Sequence, residues 1–408
     1  MKQTEPTVIT LVNGLRLVHQ HRRGDGAGFF GIAVRAGSAN EAPDSYGLAH
    51  FVEHTIFKGT RHRSSWHIIN RMEAVGGELN AFTTKEETVV YSIFPTGNAP
   101  RAIELIADLA INSQFPEREL AKERDVVIDE LNSYRDTPSE AIYDDFEDLA
   151  YAGTPLAHNI LGTEASVAAL TGEQCRRFVS HYYTAPNAVA FYSGPQSADH
   201  IAALVERHFA DLPRHEVEHS TLPAPAIAKF DRTEHLDGHQ CHVLSGMATG
   251  GIYGADRHAV ALFANIIGGP GMNSLLNVEL RERRGLVYNV EASTASFCGS
   301  GLLNIYYGCD ADDLARCRRI CRDTLSRLAD GGNFGQRRLD AARKQYLGQL
   351  AIASENRENR IMALARATLF HGKPSPAEEI IEAIKAVTTD DIASLAAKMA
   401  DASYLIYD

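Results

Sequence analysis

Within a chain of 408 residues, His50, Glu53 and His54 stand close together as His50-Phe51-Val52-Glu53-His54. Two imidazoles four residues apart on a helix lie one turn from each other, about 6 Å along the axis, and can converge on a single divalent ion. A carboxylate beside them can move a proton to or from the water that such an ion activates. The order H-x-x-E-H reverses the H-E-x-x-H spacing of zinc hydrolases. The plainer reading is a solvated polar face with two incidental histidines, so the elements around the motif have to decide.

A helix is expected around it. Asp44 and Ser45 are suited to N-cap this helix, Lys58 to complement its C-terminal dipole, and Gly59 to close it. At about 100° per residue, Leu48, Val52 and Thr55 share one side, while His50, Glu53, His54 and Phe57 share the other. One face can enter a core and the other can present the imidazoles. Catalytic zinc takes three protein ligands and keeps an open position, which directs attention to helical carboxylates further on. The segment Glu117 to Tyr134 follows Pro116, precedes Asp136-Thr137-Pro138, and is rich in helix formers. Glu123 and Glu130 lie seven apart, about 20° from each other around that helix, on a side shared with Val127 and Tyr134 and flanked by Val126 and Leu131. Carboxylates on an apolar stripe are costly unless a cation meets them, so both are candidates for a buried metal environment. The other reading is an exposed acidic helix.

With these residues in place, the chain resembles the pitrilysin and insulinase family of H-x-x-E-H metallopeptidases, in its short form similar to processing peptidases. The resemblance implies His50, His54 and Glu130 as ligands of one zinc ion per chain, Glu53 as general base, and Glu123 as a supporting acid. Gly76-Gly77-Glu78-Leu79-Asn80-Ala81-Phe82-Thr83 is a glycine turn leading into a strand. It resembles the family's edge strand that pairs with substrate backbone, which implies peptide binding along Asn80, Ala81 and Phe82. Far along the chain, Gly268-Gly269-Pro270-Gly271 opens a helix that runs to Leu280-Arg281-Glu282-Arg283-Arg284-Gly285-Leu286-Val287-Tyr288. No Gly-Lys-Ser/Thr follows the glycines, so a phosphate loop is disfavoured. The resemblance instead implies that Arg281 and Tyr288 reach the scissile carbonyl from the second half. Without it, Arg281 through Arg284 read as a solvated basic helix end.

The implied fold is α+β: two homologous domains, each a mostly antiparallel sheet packed with helices, with four such domains enclosing a chamber in a dimer. A homodimer is the simpler expectation because both halves of the site lie in one chain, and a heterodimer with a related subunit is the alternative. The implied activity is zinc-dependent cleavage of unfolded peptides or leader segments inside that chamber. The alternative is a non-catalytic peptide-binding or assembly subunit of the same fold.

Composition agrees with a large globular enzyme and narrows the partners. The chain is 44% hydrophobic and 23% charged, ordinary globular usage, and its length suits two or three domains. A formal charge of −12 argues against nonspecific nucleic-acid binding. No apolar run reaches the roughly 18 residues of a membrane span, and Met1-Lys2-Gln3-Thr4-Glu5-Pro6 lacks a hydrophobic signal core; a cytoplasmic protein is the expectation. The six cysteines form no C-x-x-C pair. His235, His239, Cys241 and His242 crowd together, but Asp237-Gly238 signals a hairpin turn and strand alternation after it would send neighbours to opposite faces.

Order along the chain suggests a zinc-binding domain over residues 1–213, a linker over 214–228, and a C-terminal domain over 229–408. Asn13-Gly14 between Val8–Leu11 and Leu15–His19 predicts a hairpin. The second half repeats the sequence strand, helix, glycine loop, helix, two strands, and then long helices from Asp312 to Ala400.

Overall fold

A computed structural model describes residues 5–24, 26–219, 227, 229–236, 238, 240–331 and 334–408. Most of the expected linker, residues 220–226 and 228, lies outside the described residues. The chain forms two compact units that do not follow a single cut at the linker. The first unit takes Met1–Asn132, His158–His219 and Ala353–Ser375; the second takes Ser133–Ala157, Ser220–Ile352 and Pro376–Asp408.

In the first unit the strands are β1 (Thr7–Thr10), β2 (Arg16–His21), β3 (Ala27–Val34), β4 (Glu78–Thr83), β5 (Thr88–Pro95) and β6 (Ala188–Gly194), in spatial order β1-β2-β6-β3-β5-β4. Every neighbouring pair is antiparallel except β2 with β6. The Asn13-Gly14 hairpin forms as expected: Gly14 takes φ +93°, and Thr10 faces Arg16. β3 and β6 are buried almost throughout because their near-continuous apolar runs leave no face for water. Around this sheet stand α1 (Leu48–Thr55), α2 (Ser65–Glu73), α3 (Ala99–Asn112), α4 (Glu117–Arg135, entering the second unit at its end), α6 (Glu164–Ala169), α7 (Gly172–Tyr182) and α8 (Ala198–His208). The intervening α5 (Pro138–Ala150) packs instead on the second unit's sheet.

The second unit holds β7 (Asp231–Glu234), β8 (Cys241–Thr249), α9 (Arg257–Gly268), β9 (Val287–Ser296), β10 (Gly301–Cys309), α10 (Leu314–Ala329), α11 (Gln336–Ala353), α13 (Ala377–Ala386), α14 (Thr389–Ala400) and β11 (Ser403–Tyr407). The strand order is β7-β11-β8-β10-β9, with β7 and β11 parallel and the rest antiparallel. Leaving aside β1, the two sheets share one topology: first strand, last, second, fourth, third, with first and last parallel. The helix α12 (Arg357–His371) lies against β2, β3 and β6 of the first unit, as α5 lies against β8 and β11 of the second. The equivalent helix of each half has therefore been exchanged between units. This two-domain α+β architecture with mixed sheets matches the fold class read from the sequence.

Three local expectations change. No hairpin joins β7 to β8, because the C-terminal strand β11, with Leu405, Ile406 and Tyr407 buried, inserts between them; Asp237 itself lies outside the described residues. The strands β7 and β11 and the helix α8 were not anticipated. Asp44 and Ser45 do not cap α1; they sit in a short 3-10 turn, Pro43–Ser45, and Gly47 at φ +93° is the N-cap. A Cβ on Gly47 would lie 2.7 Å from the Leu161 carbonyl oxygen, so both its dihedral and its surroundings require glycine.

The cap comes from further away. Glu41 accepts the amides of Gly47 at 2.8 Å and Ala49 at 2.6 Å, while His158 Nε2 lies 3.0 Å from its second oxygen. The Glu41 side chain is fully buried, the His158 ring stacks on Tyr46 at 3.8 Å, and Lys85 donates to the His158 carbonyl. One carboxylate thus satisfies two of the orphan amides at the start of α1 and sits where the helix dipole favours negative charge. Replacing Glu41 with Ala strands these buried donors, and a loss of about 3 kcal/mol in urea unfolding is expected.

Candidate metal centre

Helix α1 is buried over most of its circumference: Leu48, Ala49, Phe51, Val52 and Thr55 all enter the core, and the helix packs against α7 and β4. The remaining arc carries His50, Glu53 and His54. Their rings stand 4.5 Å apart at 60°. Helix α4 crosses this arc with Leu120, Val127 and Leu131 in the core, which brings Glu123 and Glu130 onto the histidines. Glu130 Oε2 lies 3.3 Å from His54 Nε2, and Oε1 lies 3.9 Å from His50 Nε2. Glu53 Oε2 is 3.8 Å from His50 Nε2.

The second carboxylate of α4 has a different task. Glu123 Oε1 accepts from His54 Nδ1 at 3.2 Å, and its other oxygen meets Lys58 Nζ at 2.6 Å. Glu123 is buried, whereas the Glu130 side chain is 46% exposed, so only the former occupies the buried environment expected of both. Burial, together with neighbouring His54, pulls the His50 pKa down to about 3 and keeps that imidazole neutral. Burial pushes Glu53 up to about 6; His54 opposes this and the Glu130 charge adds to it.

His50, His54 and Glu130 each offer a ligand atom, and these atoms lie within 4.8 Å of one another. Two imidazole nitrogens and one carboxylate oxygen are a donor set that suits zinc and leaves a coordination position open. The outer nitrogen of His54 is bonded to a carboxylate, the usual way in which a metal-binding histidine is oriented. The residues present therefore fit a zinc ion.

The corresponding helices of the second unit carry no such set. There Asn265 on α9 donates to Gln349 on α11 at 2.7 Å, a neutral amide pair. Among the described residues, the His235 group does not converge either: His235 meets Asp408, His242 meets the Tyr306 hydroxyl, and Cys241 is buried in the core. His239 lies outside the described residues.

β4 is an edge strand, hydrogen-bonded to β5 alone, and Asn80, Ala81 and Phe82 are half-buried along it. Arg281 lies in the second unit, in a π-helical turn over Asn277–Glu282. Arg283 and Arg284 both bind Glu279, at 2.5 and 2.6 Å, while Arg281 meets only the margin of Glu282 at 4.0 Å. Tyr288, on the second unit's edge strand β9, is 88% exposed.

A family profile described as "Insulinase (Peptidase family M16)" matches residues 16–164, and one described as "Peptidase M16 inactive domain" matches residues 169–346. An uncharacterized zinc protease of Mycobacterium tuberculosis is 31% identical over 405 residues, which is 98% of this chain and 92% of its own length. The chain belongs to the M16 peptidase family. The uncharacterized zinc protease YmxG of Bacillus subtilis is 30% identical across 97% of the chain and 96% of its own length. Two solved structures share the M16 fold. A protease from Helicobacter pylori superposes with a TM-score of 0.89 at 21% identity, covering all of both chains. An M16 inactive domain from Pseudomonas fluorescens gives 0.90 at 18% identity, covering 99% of this chain and 97% of that one.

Glu41 is the residue that sequence reasoning left unassigned, and Lys58, expected only to complement the helix dipole, also meets Glu123. Lys58 falls one turn beyond His54, a spacing that could have placed it near the same carboxylate. Glu41 lies across a loop from α1 and gave no periodic signal.

The raised pKa of Glu53 has a consequence for stability. Its carboxyl ionises near 4.5 in the unfolded chain and near 6 in the folded one, so raising the pH through this interval releases the unfolded state's proton first and erodes stability. In metal-free protein the Glu53→Gln variant is therefore expected to match the wild type below about pH 4.5 and to exceed it by up to about 2 kcal/mol at pH 7. Urea unfolding with a chelator present, at both pH values, measures the difference.

Proposed function

We infer that this M16 chain is a zinc-dependent endopeptidase acting on extended, unfolded peptides. The observation that carries the reading is the meeting of His50, His54 and Glu130 from two helices, with Glu53 beside them. One zinc ion per chain would be held by those three residues. Zinc in such a set acts as a Lewis acid that acidifies water and polarises a carbonyl.

The protein's own groups supply the rest. Glu53, with its pKa pushed up to about 6, is closer to neutral than an ordinary carboxylate and is matched to taking a proton from water and handing it to the leaving amine. The edge of β4, which packs against α1, offers unpaired backbone to an extended peptide; Asn80, Ala81 and Phe82 would align it with little demand on side-chain identity. Arg281 and Tyr288 would donate hydrogen bonds to the scissile carbonyl as charge develops on its oxygen. Four M16 domains from two copies of the chain would enclose the substrate, which would admit unfolded peptides and exclude folded proteins. Among the described residues, no helix is long and apolar enough to cross a membrane.

Zinc-loaded protein is expected to cleave quenched unfolded peptides, to lose activity to a chelator, and to elute as a dimer in light scattering. The Glu53→Gln variant should retain its zinc and lose about 10²- to 10⁴-fold in kcat. A variant at the wild-type rate would remove Glu53 from the chemistry. Wild-type protein that binds zinc and peptides without cleaving them would turn the reading to a non-catalytic peptide-binding subunit.

A further inference from the structure

Three carboxylates, Glu53, Glu123 and Glu130, gather around the two histidines, and the ammonium that meets them is Lys58, 2.6 Å from Glu123 Oε2. One divalent ion and one ammonium together balance three carboxylates. Lys58 is held in place by the backbone, in the 3-10 turn Ile56–Lys58 that continues α1 directly beyond His54.

We propose that Lys58 is a positioning residue for zinc: by clamping Glu123 it fixes which nitrogen of His54 faces the ion. The inference rests on the zinc-peptidase reading above. A carboxylate only accepts hydrogen bonds, so a Glu123 oxygen 3.2 Å from His54 Nδ1 requires the proton on Nδ1 and leaves the Nε2 lone pair for a metal. Nε2 faces Glu130, at 3.3 Å, the carboxylate that would share the ion with it; in the absence of the ion both ring nitrogens can donate to a carboxylate, so what buried Glu123 fixes is the tautomer of the neutral ring. Glu123 is buried, and a buried carboxylate with a single neutral donor is poorly satisfied. Lys58 binds the oxygen that His54 does not, and so holds the carboxylate in the one orientation that serves the ring. Without the ammonium, Glu123 can turn away, His54 loses its anchor, and the tautomer with the proton on Nε2 competes with metal.

The test uses full-length protein and two measurements. Imidazole ¹⁵N NMR of the metal-free wild type, at a pH where the ring is neutral, should find His54 protonated at Nδ1, and Lys58→Met should shift His54 toward the other tautomer. Chelator competition should show zinc bound roughly 10- to 100-fold more weakly by Lys58→Met, the usual effect of losing an outer partner of a ligand. Lys58→Arg should restore most of that affinity. Because Lys58 acts through Glu123, the Lys58→Met/Glu123→Gln pair should bind zinc no more weakly than Glu123→Gln alone. The proposal is overturned by a neutral wild-type His54 protonated at Nε2, by unchanged zinc affinity in Lys58→Met, or by losses that add in the double variant. If the wild type binds no zinc, the peptidase reading fails, and the tautomer of metal-free His54 still decides the role of Lys58.

Discussion

A helix buried on most sides yet bearing two imidazoles and a carboxylate needs polar partners from its surroundings. That obligation organises the first unit. The N-terminal amides of α1 are met by Glu41, carried on the loop before the helix, and its histidines are met by Glu123 and Glu130 from α4. An unpartnered polar group in such a place would cost a few kcal/mol, a large part of a domain's net stability. The apolar side of α1 alone would fix its depth in the core. Its rotation and axial position are set by these polar contacts, and the rotation is what makes the metal ligands converge.

The second unit shows what the same topology does when the obligation is lifted. Its sheet repeats the strand order and directions of the first, and α9 stands against β9 as α1 stands against β4. Where the first unit holds charged and ionisable groups, the second holds Asn265 and Gln349, which satisfy each other as neutral amides. A neutral pair needs no cation. The candidate ligand set thus lies in one half while the architecture is common to both. The exchange of α5 and α12 between the units gives each sheet a covering helix from the other half of the chain.

Legibility in the sequence followed the range of the interactions. His50, Glu53, His54 and the pair Glu123 and Glu130 could be read because helical periodicity puts residues three, four and seven apart on one face. The Asn13-Gly14 hairpin could be read because its turn chemistry is local. The edge position of β4 could not, since neighbours in a sheet are chosen by distant strands. The cap of α1 was misassigned for the same reason: Asp44 and Ser45 are ideal types in the adjacent sequence, but Glu41 outcompetes them by accepting two amides at once. β11 went unnoticed as a short apolar segment at the chain's end, and its insertion beside β7 removed the hairpin that Asp237-Gly238 suggested. The helix exchange left no trace, because an amphipathic helix does not specify which of two similar sheets will cover its apolar face.

The metal centre is also built against its own stability. Burial disfavours charge on His50 and on Glu53 alike, so the pKa of His50 falls to about 3 while that of Glu53 rises to about 6. A cation arriving among these groups would reverse the balance: it needs the imidazole neutral, as His50 already is, and it would favour the ionised Glu53 that burial opposes. Free energy stored as desolvation in the metal-free protein is therefore released on binding. Folding and metal affinity become linked through the same few atoms. The contacts from Lys58 and Glu41 support such a site from outside: one meets Glu123, the other the first amides of α1.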